Sequence, residues 1–153
     1  MQELWRAVTV CAVLAVTGMA GCSKGEGTTG VTVTPPPATP VGTYTLSSVD
    51  SKSLPYMMYS DTGYTLELSS GTLSITTGGR WTSKVVSKET VAGNVSTYSD
   101  STFGTWALGT AVTTAVFTNA ESGATSAVTW TAKDVTVNDV DGAVTHKVLY
   151  KKN

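Results

Sequence analysis

The chain has 153 residues, a formal net charge of −1 and 14% charged side chains, which fits one domain and excludes the clustered Lys and Arg that nucleic-acid phosphates demand. Thr, Val, Tyr and Trp are frequent beyond roughly the first forty residues, and they suit half-buried pleated surfaces, so disorder is excluded there. Of the two cysteines, Cys11 and Cys22, only Cys22 would survive removal of an N-terminal leader, so no internal disulfide is expected.

Residues 1–21, MQELWRAVTVCAVLAVTGMAG, read as a signal peptide. Arg6 supplies a weak positive charge, and Ala7 to Val16 form an apolar run too short for a bilayer span of about 20 residues. No amphipathic period supports the alternative of a buried helix. The run ends in Met19-Ala20-Gly21-Cys22, which resembles the lipobox of bacterial lipoproteins. That resemblance implies diacylglyceryl transfer to the Cys22 thiol, cleavage before it, and a membrane anchor carrying more than one acyl chain, as stable attachment requires. It also implies a place in the bacterial cell envelope. Ser23 follows the cysteine, which in Gram-negative lipoproteins goes with sorting to the outer membrane.

Residues 22–41, CSKGEGTTGVTVTPPPATPV, have no apolar period and read as the lipidated cysteine plus a Gly/Thr/Pro-rich tether, extended and semi-rigid around Pro35-Pro36-Pro37 and Pro40. A polyproline ligand for another protein is the less economical reading of the same residues.

From residue 42 to 153 the pattern has period two, broken by turn residues, and no helix is expected. GTYTLSSV sets Tyr44 and Leu46 on one face. YTLELSS sets Tyr64, Leu66 and Leu68 opposite Thr65 and Glu67. GTLSITTGG does the same with Leu73 and Ile75, and Gly78-Gly79 turns into RWTSKVVSKE. GTWALG aligns Trp106 with Leu108, and AVTTAVFTN is a strand whose inner face the sequence does not assign. SAVTWTAKD aligns Val128, Trp130 and Ala132. VTVNDVDG ends in the tight-turn pair Asp141-Gly142, and AVTHKVLYKK puts Val144, His146, Val148 and Tyr150 on one face. Roughly eight to ten short strands at hairpin spacing predict an all-β fold, a single antiparallel up-and-down β-barrel, since closure removes sticky edges.

Gly42-Thr43-Tyr44, SVDSKSLP (residues 48–55), GTLSITTGGRW, GTWALG and the terminal VLYKK together resemble bacterial lipocalin-like lipoprotein domains, over about residues 42–152. Tyr44 stands where true lipocalins carry Trp. The resemblance implies a small meander barrel, lipocalin-like, behind a lipid anchor.

The search for chemistry ends without a catalytic set. His146 is the single histidine, so a clustered zinc site is excluded, and no G-x-S-x-G elbow accompanies it. The acids of DVTVNDVDG miss the EF-hand spacing and read as turn acids, with a weak calcium site as the alternative. No phosphate loop is present, so no cofactor and no metal is expected, and the chain is not read as an enzyme. Aromatic residues offer more. Trp81, Trp106, Trp130, Tyr44, Tyr64 and Tyr150 either pack a core or line a cavity, since a small barrel can be filled or can hold one ligand. His146, inward beside Val148 and Tyr150, reads as a hydrogen-bonded interior or rim histidine, with ligand contact as the alternative. LPYMMYSDTGY (residues 54–64) gathers Tyr56, Met57, Met58, Tyr59 and Tyr64, side chains that adapt to apolar ligands and partner surfaces, and is expected at the barrel mouth. The expected function is therefore binding of a small apolar ligand by an anchored monomer. The alternative is an interaction or inhibitory module for an envelope protein, with a filled core.

Overall fold

The structure, a computed structural model, describes residues 39–153. The signal peptide, Cys22, Ser23 and the tether up to residue 38 lie outside the described residues.

Ten strands and no helix make up the described chain: β1 (Gly42–Val49), β2 (Lys52–Ser53), β3 (Tyr56–Asp61), β4 (Tyr64–Ile75), β5 (Arg80–Val91), β6 (Asn94–Leu108), β7 (Thr114–Asn119), β8 (Thr125–Trp130), β9 (Asp134–Asp141) and β10 (Val144–Lys152). Every pairing is antiparallel, and from β3 to β10 each strand pairs with the next. β1 then pairs with β10 on one side and with β4 on the other, Gly42 opposite Ile75 through Thr45 opposite Thr72. That second pairing closes eight strands into an up-and-down barrel, with β2 and β3 outside the ring.

The period-two pattern explains which side chains fill the barrel. Tyr44, Leu46 and Val49 of β1, Leu73 and Ile75 of β4, and Trp81 of β5 point inward and are buried. Ala115 and Phe117 of β7, Val128 and Trp130 of β8, Val135 of β9 and Tyr150 of β10 complete the core. Each large apolar side chain so buried stabilises the fold by about 1.5–3 kcal/mol relative to exposure. Pro40 is buried too, and its carbonyl accepts the Tyr44 hydroxyl at 2.8 Å, which ties the residues just before β1 to the core. Trp81 stacks on Phe117, with centroids 5.1 Å apart and planes 10° from parallel. Gly104 makes room for this indole. A Cβ there would meet Trp81 Nε1 at 2.9 Å and collide with the Thr118 carbonyl oxygen.

β4, β5 and β6 are longer than the barrel is tall. β4 pairs with β1 only through residues 72–75, and its first half, beyond a bulge between Leu68 and Ser70, carries β3 instead. β6 pairs with β7 only from Gly104 to Leu108. Residues 94–103 of β6 therefore run out beyond the ring beside β5, β4 and β3 as a four-stranded extension. Ala92 and Gly93 turn its tip with φ of 48° and 83°, the positive pair that a two-residue hairpin turn requires. The barrel thus has an extended end, where β1 finishes and β10 begins, and a far end, where the β4–β5 turn lies.

Candidate functional site

Two features meet at the extended end: an interior cavity and a tyrosine-bearing sheet face.

The cavity measures about 230 Å³. Its apolar wall is Leu73, Trp81, Phe117, Ala124, Val137, Val148 and Tyr150, and its polar groups are Ser83, Thr102, Asn119, Ser126 and Asp139. The same alternation that fills the core places them. Ser83 follows Trp81 by two on β5 and faces Thr102 of β6 in register, while Asp139 follows Val137 by two on β9 and faces His146 of β10. The inward column of side chains thus changes from large and apolar to small and polar toward this end, and space remains between them. Tyr150 spans the change. Its ring is buried, and its hydroxyl lies 3.3 Å from Ser83 Oγ. Burial raises its pKa, so at neutral pH the cavity contains an uncharged phenol able to donate or accept.

At the rim stands Asp50. Asp50 and Ser51 turn β1 into β2 with φ of 50° and 66°. The Asp50 carboxylate lies 2.8 Å from His146 Nδ1, accepts the Lys147 backbone N–H at 2.8 Å, and accepts the Tyr56 hydroxyl at 3.2 Å. The His146 and Lys147 bonds hold its pKa below the ordinary carboxylate value, while that of Tyr56 is raised by its desolvation and, secondarily, by its bond to this carboxylate. This network joins β1, β3 and β10, and so fixes the start of the extension to the barrel.

Register places Tyr56, Tyr59, Tyr64, Leu66, Leu68, Glu89 and Tyr98 on the sheet face continuous with the barrel interior. Tyr59 and Tyr64 meet edge to face at 5.6 Å, and Tyr98 donates to Glu89 Oε2 at 2.9 Å. The Glu89 carboxylate also raises the pKa of Tyr64 through a hydrogen bond. Lys52 Nζ lies 6.0 Å from the Tyr56 ring centroid.

The residues singled out in the sequence divide between the two ends. Tyr56, Tyr59, Tyr64 and His146 come together at the extended end. LPYMMYSDTGY is chiefly strand β3 there, with its turn into β4. Met57 and Met58 are exposed; Met57 pairs with Glu67 on the opposite face, and Met58 forms the bulge of β3. Trp106 and Trp130 stand at the far end. Trp106 Nε1 donates to the Thr76 carbonyl at 3.0 Å, and Trp130 is a buried core residue. None of these eight lines the cavity, but Trp81 and Tyr150, two of the aromatics expected either to pack the core or to line a cavity, do. The cavity residues that the sequence reading passed over are Ser83, Thr102, Asn119 and Ser126, while Asp139, read there as a turn acid or weak calcium ligand, lies in the cavity wall. The signal for two of these wall residues was a small polar residue in an inward position, Ser83 two after Trp81 and Asp139 two after Val137. Cys22 lies outside the described residues. Among those residues, no three His, Cys, Asp or Glu side chains gather as a metal site.

No family model, no curated protein and no solved structure matches this chain.

Proposed function

We propose that the chain is a lipid-anchored envelope protein that binds one small molecule in its barrel and catalyses no reaction. The observation that carries the reading is the cavity, apolar and aromatic on one side and polar on the other. Its volume lies just below the range of about 300–1,000 Å³ usual for ligand pockets. An apolar body would stack against Trp81 and Phe117, and polar substituents would meet Ser83, Thr102, Asn119 and the Tyr150 hydroxyl. The ligand is thus amphipathic rather than purely apolar. Anchoring rests on Cys22 and the lipobox around it, and Ser23 favours the outer membrane in a Gram-negative host. A second reading, docking of an envelope protein, is favoured by the exposed Met57, Met58 and Tyr59 beside the mouth.

Two experiments test the proposal. Radiolabelled palmitate should enter the protein in bacterial cells, and Cys22→Ser should abolish the label; a label that persists would refute anchoring through Cys22. Native mass spectrometry of gently purified residues 23–153 should show a small co-purifying mass, and a bare protein mass would favour the docking reading.

A further inference from the structure

Among the described residues, the extension leaves one strand edge unpartnered. Beyond Phe103, β6 has β5 on one side and no described strand on the other, and residues 94–101 are all exposed. Antiparallel geometry determines which backbone groups face outward. The two-residue turn Ala92-Gly93 makes Val91 and Asn94 a hydrogen-bonded pair, so the even-numbered residues of β6 bond to β5. The odd-numbered residues Val95, Thr97, Ser99 and Ser101 therefore turn N–H and C=O to the free edge. Two bonds agree with this parity: the Trp106 N–H donates inward to Gly79 O, and the next odd carbonyl, that of Phe103, is reached from outside by the Ala120 N–H at 2.9 Å.

An edge of this kind templates another strand unless it is blunted by bulges, Pro or Lys. β6 has none of these. It pairs with β5 without a register shift from Thr105 to Asn94, and Asp100 is its only charged residue. The other outer edge, β3, is blunted by its bulge at Met58, by the preceding Pro55 and by Asp61 at its end.

We propose that the free edge of β6 pairs antiparallel with the same edge of a second copy of this chain, about a two-fold axis at Tyr98. This register matches Val95 with Ser101 and Thr97 with Ser99 of the other copy, so it satisfies all four outward residues with about eight hydrogen bonds. It sets Asp100 against Ser96, and no like charges oppose. Tyr98, 47% exposed, and Val95, 57% exposed, become covered. The contact is isologous and uses up the edge, so assembly stops at the dimer. Two tyrosine faces then join into one continuous sheet between two barrel mouths. The inference stands apart from the ligand reading and replaces the expected monomer.

The test is cysteine cross-linking of the full chain in bacterial membranes, with the parent chain as the control for Cys22. In the proposed register the two copies of residue 98 form a non-hydrogen-bonded pair with Cα atoms about 4.5 Å apart, within disulfide range. Tyr98→Cys should give a disulfide dimer. Ser96→Cys should give several-fold less, because its copies lie about 13 Å apart along the strands. Adding Ser99→Pro to Tyr98→Cys removes an outward N–H and should abolish the dimer. Adding Ser96→Asp, which brings acids face to face at an exposed position, should reduce it several-fold. Absence of the Tyr98→Cys dimer, equal cross-linking at residue 96, or a dimer unaffected by both additions would overturn the proposal. Preferential cross-linking of Met58→Cys to Tyr98→Cys would overturn it in favour of a head-to-tail filament.

Discussion

Asp50 and His146 are 96 residues apart in sequence, yet the Asp50 carboxylate lies 2.8 Å from the His146 Nδ1. The contact links the β1–β2 turn to the start of β10 at the mouth of the barrel. A second bond, from the Lys147 N–H to Asp50 Oδ1, makes the carboxylate part of the strand pairing as well as a partner of the imidazole.

An acid-stability prediction follows from this geometry. The folded pKa of Asp50 lies below its ordinary value of 3.8, so the unfolded chain takes up the proton first as pH falls. Its contribution is fully present above about pH 4 and is lost as pH falls through the folded value. The wild-type thermal midpoint should therefore drop below pH 4 more steeply than that of Asp50→Asn. Asn tolerates the positive φ at this position, which isolates the charge. Parallel curves from thermal denaturation at pH 2–7 would contradict the assignment.

Gly104 should tolerate no side chain. Its missing Cβ makes space for the Trp81 indole and for the Thr118 carbonyl, and the latter belongs to a paired strand that cannot yield cheaply. Gly104→Ala should cost at least about 1–3 kcal/mol in urea unfolding, the usual range for overpacking, and should alter tryptophan fluorescence. An unchanged midpoint would show that β6 and β7 can separate without loss.

The tyrosines should separate in an alkaline titration followed by phenolate absorbance. Desolvation is the main cause raising the pKa of Tyr44, Tyr150 and Tyr56, with the Asp50 bond adding at Tyr56, whereas the Glu89 hydrogen bond leads at Tyr64. A raised phenol pKa contributes stability below about pH 10 that is lost as pH rises through the folded value. Tyr44 and Tyr150 should thus ionise together with barrel unfolding. Reversible ionisation of all six tyrosines with a single midpoint near pH 10 and native circular dichroism would contradict their burial.

Met57→Ala combined with Met58→Ala should leave cavity binding unchanged, because neither side chain reaches the cavity. The same double variant should weaken protein docking at the mouth by several-fold if the second functional reading holds. Pull-down and native mass measurements on one preparation separate the two effects.

Much of the barrel was legible because a half-buried strand shows its inner face as an apolar residue at every second position. Tyr44 and Leu46, Leu73 and Ile75, and Val128 and Trp130 all face inward as the alternation predicts. Periodicity reports a face but not where a wall ends. Leu108 shares a face with Trp106 yet is exposed at the far end, and Ala132 falls in the turn after β8. The segment AVTTAVFTN becomes strand only from Thr114, because Thr113 has a φ of 66° and the Thr114 N–H bonds back to Ala111. The site was less legible for a related reason. A ligand cavity needs inward positions that are not large and apolar, so Ser83, Thr102 and Asp139 break the pattern that identifies strands. The bulge between Leu68 and Ser70, which diverts β4 from the ring into the extension, has no signature in SSG.

Filling the cavity tests the central claim most directly. Val148 lines it between Tyr150 and the rim, and Val148→Trp should occupy the space while the strand pairing of β10 persists. Native mass spectra of residues 23–153 should show a bound small mass on the wild-type protein, released on denaturation, and none on the folded Val148→Trp variant. Equal retention by both proteins, or none by either, would contradict a ligand-binding barrel.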